Sequence, residues 1–328
     1  MDTGITKVAR ALSYCNLASR KWIPIPSPSK NLRSQVGRSQ VLHSPKPTPC
    51  FSLITWNVDG FGPYRYQRTR GLLECILHES RRPDILFLQE VTRDVRAALL
   101  GDSNVRQAFF TTDAEDDKVF GDEDRGYATM TLLSRKRFAP PPSDDVQKEE
   151  DEVKGEEKFV VGSVSRVKLP SKFGRDGLCV DISPPSASTF YRLINVHLDS
   201  VDNLPNRIRQ MEILAKLLRE SGCSGGLIAG DFNSVGPGDD ELVSKHGLVD
   251  AWLALHGDRD PEAPTWSAIR RLEKDHDPRR LDKVALLGFA AEEMEILHPG
   301  TLDGLRVGAN SKPVDWSDHS GLRCTFTV

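Results

Sequence analysis

Long apolar runs are absent from this sequence of 328 residues, and its cysteines are few and scattered. No run approaches the roughly 20 apolar residues that a membrane-spanning helix requires, so no membrane partner is expected. The six cysteines contain no CxxC pair, which argues against a zinc site and against a disulfide framework. We therefore expect reduced thiols in an intracellular protein.

The sequence also lacks the motifs of several other kinds of chemistry. It has no serine nucleophile elbow after a predicted strand, no glycine-rich phosphate loop and no zinc-ligand spacing. No internal repeat is visible. Any catalytic function must therefore be carried by residues that are dispersed along the chain.

Charge is unevenly distributed, although the net charge is only −3. Residues 1–48 hold eight Lys or Arg and one acid, whereas residues 144–157 hold eight acids and two lysines. We interpret residues 1–48 as a mostly irregular basic segment, with a mitochondrial transit peptide as the alternative, and 139–158 as an acidic disordered loop. The remaining chain is not basic, so any nucleic acid must bind through local patches.

Residues 49–328 alternate short apolar runs with helical patterns, which predicts an α/β domain. Apolar residues recur at helical spacing in 66–80 and 206–221. Strands are predicted at 51–58, 84–91, 127–134, 159–167, 177–183, 190–198, 226–232, 282–288 and 321–328.

Polar residues adjoin several of these predicted strands. They are Asn57, Gln89 and Glu90, His197, Asp231 and Asn233, and Asp318 with His319. Ligands of α/β sheets gather at strand ends, where loops present polar groups from a rigid scaffold. A turn, a cap or a solvated loop explains each residue taken alone, but the set as a whole favours a shared site.

The oxygen-rich composition of this set indicates phosphoryl chemistry with a hard cation. Mg²⁺ prefers carboxylate and amide oxygens and keeps several waters, and Mn²⁺ is the alternative ion. Phosphoryl transfer needs such a metal, a base or water-positioning group, and cationic donors around the phosphate. The predicted cofactor is therefore Mg²⁺.

A series of short motifs carries a resemblance that covers roughly residues 51–328. The motifs are 55-TWNVDG-60, 84-DILFLQEV-91, 126-GYATMTLL-133, 197-HLDS-200, 230-GDFN-233, 265-TW-266, 281-LDKV-284 and 317-SDHSGL-322. In this order they resemble the endonuclease/exonuclease/phosphatase superfamily and, within it, the tyrosyl-DNA phosphodiesterase branch. The resemblance implies a four-layered α/β sandwich, with two packed mixed β-sheets flanked by helices. Residues 49–328 would then form the metal-dependent phosphodiesterase catalytic domain.

The resemblance also implies a role for each residue near the metal. Glu90 would be the direct metal ligand, with help from Asn57. Asp318 would complete the outer shell of the ion. Asp231 would orient or deprotonate the attacking water, and Asn233 would donate a hydrogen bond to the phosphate.

Two histidines have implied roles in catalysis. His319 would donate to the non-bridging phosphate oxygens, and Asp282 would raise the pKa of His319 so that it keeps its proton. His197 would contact the scissile phosphate. The alternatives are a surface pair of Asp282 with Lys283 and a structural, buried His197.

The substrate-binding residues are also implied by the resemblance. Trp266 would form an aromatic wall beside the DNA end, and Arg175 and Arg207 would contact phosphates. Tyr127 and Asp59 would line the cleft. The alternatives are a core position for the tryptophan and solvated positions for the arginines.

The implied function is hydrolysis of the 5′-phosphotyrosyl bond between DNA and a trapped topoisomerase, leaving a 5′-phosphate end for DNA repair. The expected partners are DNA with a 5′-tyrosyl or peptide adduct and remnants of the trapped topoisomerase. A monomer is expected, in the nucleus or nucleocytoplasm, with mitochondria as the alternative. Two rival functions are another nucleic-acid phosphodiesterase, such as an exonuclease or deadenylase, and a catalytically silent binding module. Every expected polar position is filled, which favours an enzyme.

Overall fold

The computed structural model contains two eight-stranded sheets and a separate two-stranded ribbon. It describes residues 5–25, 48–78, 81–121, 126–141, 158–185, 187–257, 263–266, 278–307 and 312–328. All nine predicted strands are confirmed, each end lying within three residues of its predicted position, and both predicted helices are present.

The first sheet is mixed, and most of its strands come from the second half of the chain. Its strands are β1 (Lys7–Ala9), β8 (Phe138–Ala139), β9 (Phe159–Lys168), β10 (Asp176–Ser183), β11 (Phe190–His197), β12 (Cys223–Asp231), β13 (Val249–Asp250) and β14 (Asp282–Leu287). Their spatial order is β1-β9-β10-β11-β12-β14-β13, with β8 beside β9. β11 and β12 are parallel, and β12 and β14 are antiparallel.

The second sheet is also mixed. Its strands are β2 (Leu12–Asn16), β3 (Lys21–Pro24), β4 (Cys50–Asn57), β5 (Ile85–Val91), β6 (Phe109–Thr112), β7 (Ala128–Ser134), β15 (Ala290–Leu297) and β18 (Gly321–Thr327). Their spatial order is β15-β18-β4-β5-β7-β6-β2-β3, with β4 and β5 parallel. β16 (Thr301–Val307) and β17 (Lys312–Asp315) form the ribbon.

Helices cover the outer face of each sheet. They are α1 (Arg65–Ile76), α2 (Arg93–Gly101), α3 (Ser103–Ala108), α4 (Leu204–Leu217), α5 (Pro237–Asp240) and α6 (Leu242–Lys245). A further helix, α7 (Ala251–His256), packs against β14 and β15, between the two sheets. One apolar cluster fills the space between the sheets. In it, Phe51 of β4 and Phe87 of β5 pack with Leu193 and Val284 of the first sheet. Two further clusters lie under α1 and α2 and under α4 and α6. The molecule is therefore the expected four-layered α/β sandwich, because each sheet buries both faces.

The expectation that residues 1–48 are mostly irregular is wrong for residues 5–25. β1 extends the edge of the first sheet by pairing with β9, and β2 extends the second sheet by pairing with β6. Arg10, between β1 and β2, forms an ion pair of 2.6 Å with buried Asp113. β1 and β3 were missed because they are short edge strands that carry basic residues and a proline. β2, between β6 and β3, is only five residues long. The folded unit therefore begins well before residue 49.

The predicted acidic loop at 139–158 falls mostly on residues 142–157, which lie outside the described residues. Ala139, at its start, belongs to β8. Among the described residues, no helix is both long enough and apolar enough to cross a membrane.

Candidate active site

Several strand ends meet at one edge of the sandwich. The register of β11, β12 and β14 places His197 beside Asp231 and Asp231 beside Asp282. In the second sheet, Asn57 ends β4 and pairs with Gln89 of β5. A hydrogen bond of 3.0 Å from Asn57 Nδ2 to Asp231 Oδ2 joins the two sheets at this edge. The predicted site residues therefore come together from distant parts of the sequence.

Asp231 lies at the centre of the cluster and is 1% exposed. Its Oδ2 is 3.4 Å from Nε2 of His197 and 3.8 Å from Nε2 of His319. Its Oδ1 accepts the backbone N–H of Asn233 at 2.8 Å. Burial and the charge of Asp282 raise the pKa of Asp231 to about 6, although His319 acts in the opposite direction. The carboxylate is thus held in a fixed orientation between two imidazole rings.

His319 and Asp282 form a buried pair. Nδ1 of His319 is 2.8 Å from Oδ2 of Asp282. Burial alone would lower the pKa of His319, but the carboxylates of Asp282 and Asp231 raise it well above its usual value. His319 is therefore an imidazolium whose Nε2–H points towards the centre of the cluster. The alternative pairing of Asp282 with Lys283 is excluded, because β14 sends their side chains to opposite faces.

Glu90 shares this pocket. Its Oε1 is 4.0 Å from Nε2 of His197, which also neighbours Asp231. Burial, followed by the charges of Asp318 and Asp231, raises the pKa of Glu90 to about 7, and a hydrogen bond from Asn57 opposes this shift. Glu90 has a backbone φ of 55°, and the pairing of β5 with β7 shifts register at this point. The irregular backbone turns the carboxylate into the pocket.

The donor set fits a divalent cation. Glu90, Asp231 and Asp318 repel one another, so a cation between them would favour their ionised forms. Asp231, Asp282 and His319 also have ligand atoms within 4.8 Å of one another. However, an imidazolium has no lone pair to offer a metal. Glu90 with the amide of Asn57 is therefore the better candidate, and this oxygen-rich set suits a hard cation.

His197 belongs to a row of side chains that leads away from Asp231. Arg175 Nη2 donates to Nε2 of His197 at 3.0 Å, and Arg175 Nη1 donates to the hydroxyl of Tyr127. The Arg175 guanidinium also lies over the rings of Tyr127 and Phe173, at 5.0 and 5.5 Å. Burial and the positive charges of Arg175 and His319 hold the pKa of His197 well below its usual value. His197 is therefore neutral, with Nε2 as an acceptor.

Asn233 and Trp266 complete the walls of the cluster. Asn233 has a φ of 49° and its Nδ2 donates to the carbonyl of Leu198 at 3.0 Å. Trp266 is half-buried, pairs with His319 through a backbone bridge, and donates from Nε1 to Asp318 at 3.1 Å. Trp266 thus lies at the rim of the site and not in the core.

Asp59 borders the pocket from the loop that follows β4. It forms an ion pair of 2.7 Å with Arg68 and remains partly exposed. Burial and the charge of Asp318 raise the pKa of Asp59 to about 6. The structure therefore places Asp59 near Asp318, as the expected position in the cleft requires.

The prediction that Arg207 contacts a substrate phosphate is wrong. Arg207 is 1% exposed, and its guanidinium forms two hydrogen bonds to Asp239, at 2.6 and 2.8 Å. It also donates to the carbonyls of Asp199 and Val201. No donor points towards a ligand, because Nε and Nη2 tie α4 to α5 and Nη1 holds the start of α4 against the loop that follows β11. The helical pattern of the sequence did not distinguish this buried face from the exposed one.

Sequence reasoning missed a positioning residue, Asp199. Its carboxylate is buried. It accepts hydrogen bonds from the Ser171 hydroxyl and, at 3.1 Å, from the backbone N–H of Lys172. Gln210 of α4 donates to the same carboxylate at 2.9 Å. Asp199 thereby fixes the segment that leads to Arg175. Asp199 lies in the HLDS motif, two residues after His197, and this position could have identified it from the sequence.

Comparison with known proteins agrees with this geometry. The sequence profile of the Endonuclease/Exonuclease/phosphatase family matches residues 54–319. The chain belongs to this family. Tyrosyl-DNA phosphodiesterase 2 of Homo sapiens is 27% identical over 289 residues, which cover 85% of this chain and 68% of that protein, and the Bos taurus protein is 26% identical over 290 residues.

Two solved structures share the fold. The crystal structure of D. rerio TDP2 complexed with single strand DNA product is 20% identical, with a TM-score of 0.61 and coverage of 85% of this chain and 99% of that chain. The human Nocturnin catalytic domain has a TM-score of 0.55 at 17% identity, covering 85% and 93%. Family membership and these relatives support a hydrolase that acts as a phosphodiesterase.

Proposed function

We propose that this protein is a Mg²⁺-dependent phosphodiesterase that hydrolyses the 5′-phosphotyrosyl bond of protein–DNA adducts and leaves a 5′-phosphate end. The observation that carries the proposal is the position of Asp231, with a neutral imidazole 3.4 Å away and an imidazolium 3.8 Å away, beside the carboxylate of Glu90. The names of the relatives, tyrosyl-DNA phosphodiesterase 2, support the choice of substrate.

Glu90, Asn57 and Asp318 would hold the ion, and Mn²⁺ could replace Mg²⁺. When bound, a divalent cation withdraws charge from the phosphate and lowers the pKa of a nearby water. Trp266 holds Asp318 through its Nε1–H. The rest of the reaction depends on protons and hydrogen bonds that the protein supplies.

Asp231 orients the attacking water and accepts its proton. Asn57 fixes Oδ2 and the N–H of Asn233 fixes Oδ1, so the carboxylate cannot rotate away from the water. The phosphorus–oxygen bond to the new hydroxyl forms as the bond to the leaving oxygen breaks. Asn233 lies at the same turn, where its amide can donate to a phosphate oxygen.

His319 stabilises the negative charge that develops on the non-bridging oxygens. It can do so because Asp282 keeps the ring protonated and directs Nε2–H into the pocket. His197 is neutral and its Nε2 is occupied by Arg175, so it positions the guanidinium beside the phosphate. The chain therefore supplies two cationic donors, His319 and Arg175, to one phosphoryl group.

Tyr127, Phe173 and Arg175 line a cavity of about 50 Å³ beside His197. An aromatic leaving group could contact these rings while Arg175 stabilises the departing oxygen. A phenol has a pKa of about 10, so the phenolate leaves without a strong general acid. This chemistry favours a tyrosyl leaving group over the alkoxide of an ordinary nucleic-acid diester. The DNA end would lie on the opposite side, against Trp266.

The test is cleavage of an oligonucleotide with a 5′-phosphotyrosine, with Mg²⁺ or with EDTA. We expect Mg²⁺-dependent release of tyrosine and much slower degradation of unmodified DNA and poly(A). Degradation of the unmodified strands at the same rate would instead identify an exonuclease or deadenylase. Absence of turnover on every substrate would indicate a binding module.

Asp231→Asn tests the water-activation step. It keeps the hydrogen bond from Asn57 possible but removes the proton acceptor, so we expect turnover to fall by roughly 10²–10⁴-fold. Normal activity in this variant would refute the role of Asp231. We further propose that the protein acts as a monomer in the nucleus or nucleocytoplasm, where such adducts arise, which fluorescence imaging of a tagged chain can check.

A further inference from the structure

Three aromatic side chains after β4 are exposed beside the site. Phe61, Tyr64 and Tyr66 are 42%, 39% and 56% exposed. Together with Pro63 they line an open groove of about 720 Å³. Aromatic side chains grouped on a surface are typical of binding interfaces, where they add large apolar contact area. The reaction described above uses none of them.

The groove is continuous with the catalytic pocket. The rings of Phe61 and Tyr127 meet edge to face, with centroids 5.0 Å apart. The Tyr127 ring is in turn 5.9 Å from the ring of His197. A row of rings therefore leads from the phosphate position, past the cavity for the leaving group, to the groove.

The aromatic segment is held in place. Tyr64 has a left-handed backbone, φ 58°, which is unfavourable for a bulky residue. Arg68 donates to the carbonyl of Asp59 at 2.9 Å and pairs with its carboxylate, which anchors the loop that precedes Tyr64. An unfavourable backbone at an exposed aromatic residue indicates a functional constraint, because solvent exposure alone would not maintain it.

The charge of the groove argues for a polypeptide and against a nucleic-acid strand. Among its lining residues, all of which are described, the cation Arg65 and the anion Asp94 form an ion pair of 3.3 Å. Asp59, between the groove and the catalytic centre, is also acidic. A nucleic-acid strand needs cationic donors for its phosphates. Near-neutral, aromatic surface instead suits peptide backbone and apolar side chains.

We propose that the groove of Phe61, Tyr64 and Tyr66 binds the polypeptide that flanks the phosphotyrosine of the substrate. The proposal rests on the proposed function, since it extends the same substrate beyond its tyrosine. The enzyme would thereby prefer a tyrosine within a peptide to an isolated tyrosine.

The test compares two substrates that share one oligonucleotide. The first has a single 5′-phosphotyrosine, and the second has the same tyrosine within a peptide of about eight residues with apolar neighbours. The variant is Tyr64→Asn combined with Tyr66→Ala. Asparagine tolerates the left-handed backbone and caps a helix well, and Tyr66 is exposed in the first turn of α1, so the fold should be retained. Leu253→Ala, at an exposed position of α7, is the control.

We expect the wild-type protein to cleave the peptide substrate with a higher kcat/KM. In the double variant, KM for the peptide substrate should rise roughly three- to tenfold, with the tyrosine substrate unchanged. Equal effects on both substrates, or no effect on either, would overturn the proposal. Weaker binding of an unmodified single strand would show that the groove holds nucleic acid and would also overturn it.

A second measurement tests peptide binding to the groove independently of the cleavage reaction. Fluorescence anisotropy of the labelled peptide, without DNA, reports binding even if neither substrate is cleaved. Absence of cleavage of both substrates would refute the proposed function. Loss of peptide binding in the double variant, but not in Leu253→Ala, would support the groove, and absence of peptide binding to the wild-type protein would refute it.

Discussion

Nδ1 of His319 lies 2.8 Å from Oδ2 of Asp282, and both side chains are buried. The bond fixes the proton on Nδ1 and the orientation of the ring, so that Nε2 faces Asp231 at 3.8 Å. The second oxygen of Asp282, Oδ1, is buried and has no hydrogen-bond partner among the described residues. The negative charge of Asp282 is therefore directed largely at His319.

Replacing Asp282 by Asn should remove this charge while preserving its shape. We expect kcat for the 5′-tyrosyl oligonucleotide to fall by roughly 10²-fold, because a neutral His319 stabilises the transition-state charge less well. KM should change little. Steady-state kinetics measures the effect, with circular dichroism to verify the fold. Asp240→Asn, at an exposed position of α5, is the matched control. An unchanged kcat in Asp282→Asn would refute the role of the pair.

The repulsion among the carboxylates predicts the thermal stability of Glu90→Gln, which can be measured without turnover. The variant should be more stable than the wild-type protein in EDTA, because it lacks a buried charge that Asp318 and Asp231 destabilise. Mg²⁺ should raise the Tm of the wild-type protein by mass action and leave the Tm of Glu90→Gln nearly unchanged. Differential scanning fluorimetry measures both effects.

The control for this experiment is Glu212→Gln, which removes an exposed carboxylate of α4. It should keep the wild-type response to Mg²⁺. Full Mg²⁺ stabilisation of Glu90→Gln would show that the ion binds elsewhere, for example at Asp231 and Asp282.

The sequence predicted the central strands and the site because both depend on local patterns. β4, β5, β11, β12 and β14 are apolar runs buried on both faces. At the same edge, β4, β11 and β12 end in a polar residue, β5 has Glu90 next to its last residue, and β14 begins with Asp282. Asn57, Glu90, His197, Asp231 and His319 could therefore be assigned to one pocket before their distances were known. Motif order contributed as much as residue type, since each motif alone is common in turns.

Edge strands and buried charges were not predictable in the same way. β1 and β2 depend on pairing with strands more than 85 residues away, and β3 pairs only with β2. Arg207 resembled a surface arginine because its partner, Asp239, lies in another helix. The exposure of a charged helical residue depends on tertiary contacts, which hydrophobic periodicity does not describe.

The corrected position of Arg207 leads to a stability prediction. Arg207→Met leaves Asp239 as an unpaired charge, because both side chains are 1% exposed. We expect the free energy of unfolding to fall by about 3–5 kcal/mol. Urea denaturation measures it, and the exposed neighbour Arg209→Ala should change it by less than about 0.5 kcal/mol. If Arg207→Met kept its stability but bound DNA more weakly, Arg207 would contact the substrate as the sequence predicted.

Lys283 provides a prediction for the pH dependence of stability. It is 1% exposed, and its Nζ is 3.9 Å from Asp250, which is already bound by Arg280 at 2.9 and 3.0 Å. Burial, followed by the charge of Arg280, lowers the pKa of Lys283 to about 8 from 10.5. The folded state thus holds the charged amine at a cost that the unfolded state does not have.

Lys283→Met should therefore be more stable than the wild-type protein at neutral pH, on the order of 2–3 kcal/mol. Below pH 8 the amine is charged in both states and the full cost applies. Between pH 8 and 10.5 the unfolded state binds more protons, so the wild-type protein gains stability as pH rises and the difference shrinks. Urea denaturation at pH 7.5 and at about pH 9.5 measures this trend. A difference that stays constant or grows with pH would show that Lys283 is neutral, or adequately paired, in the folded protein.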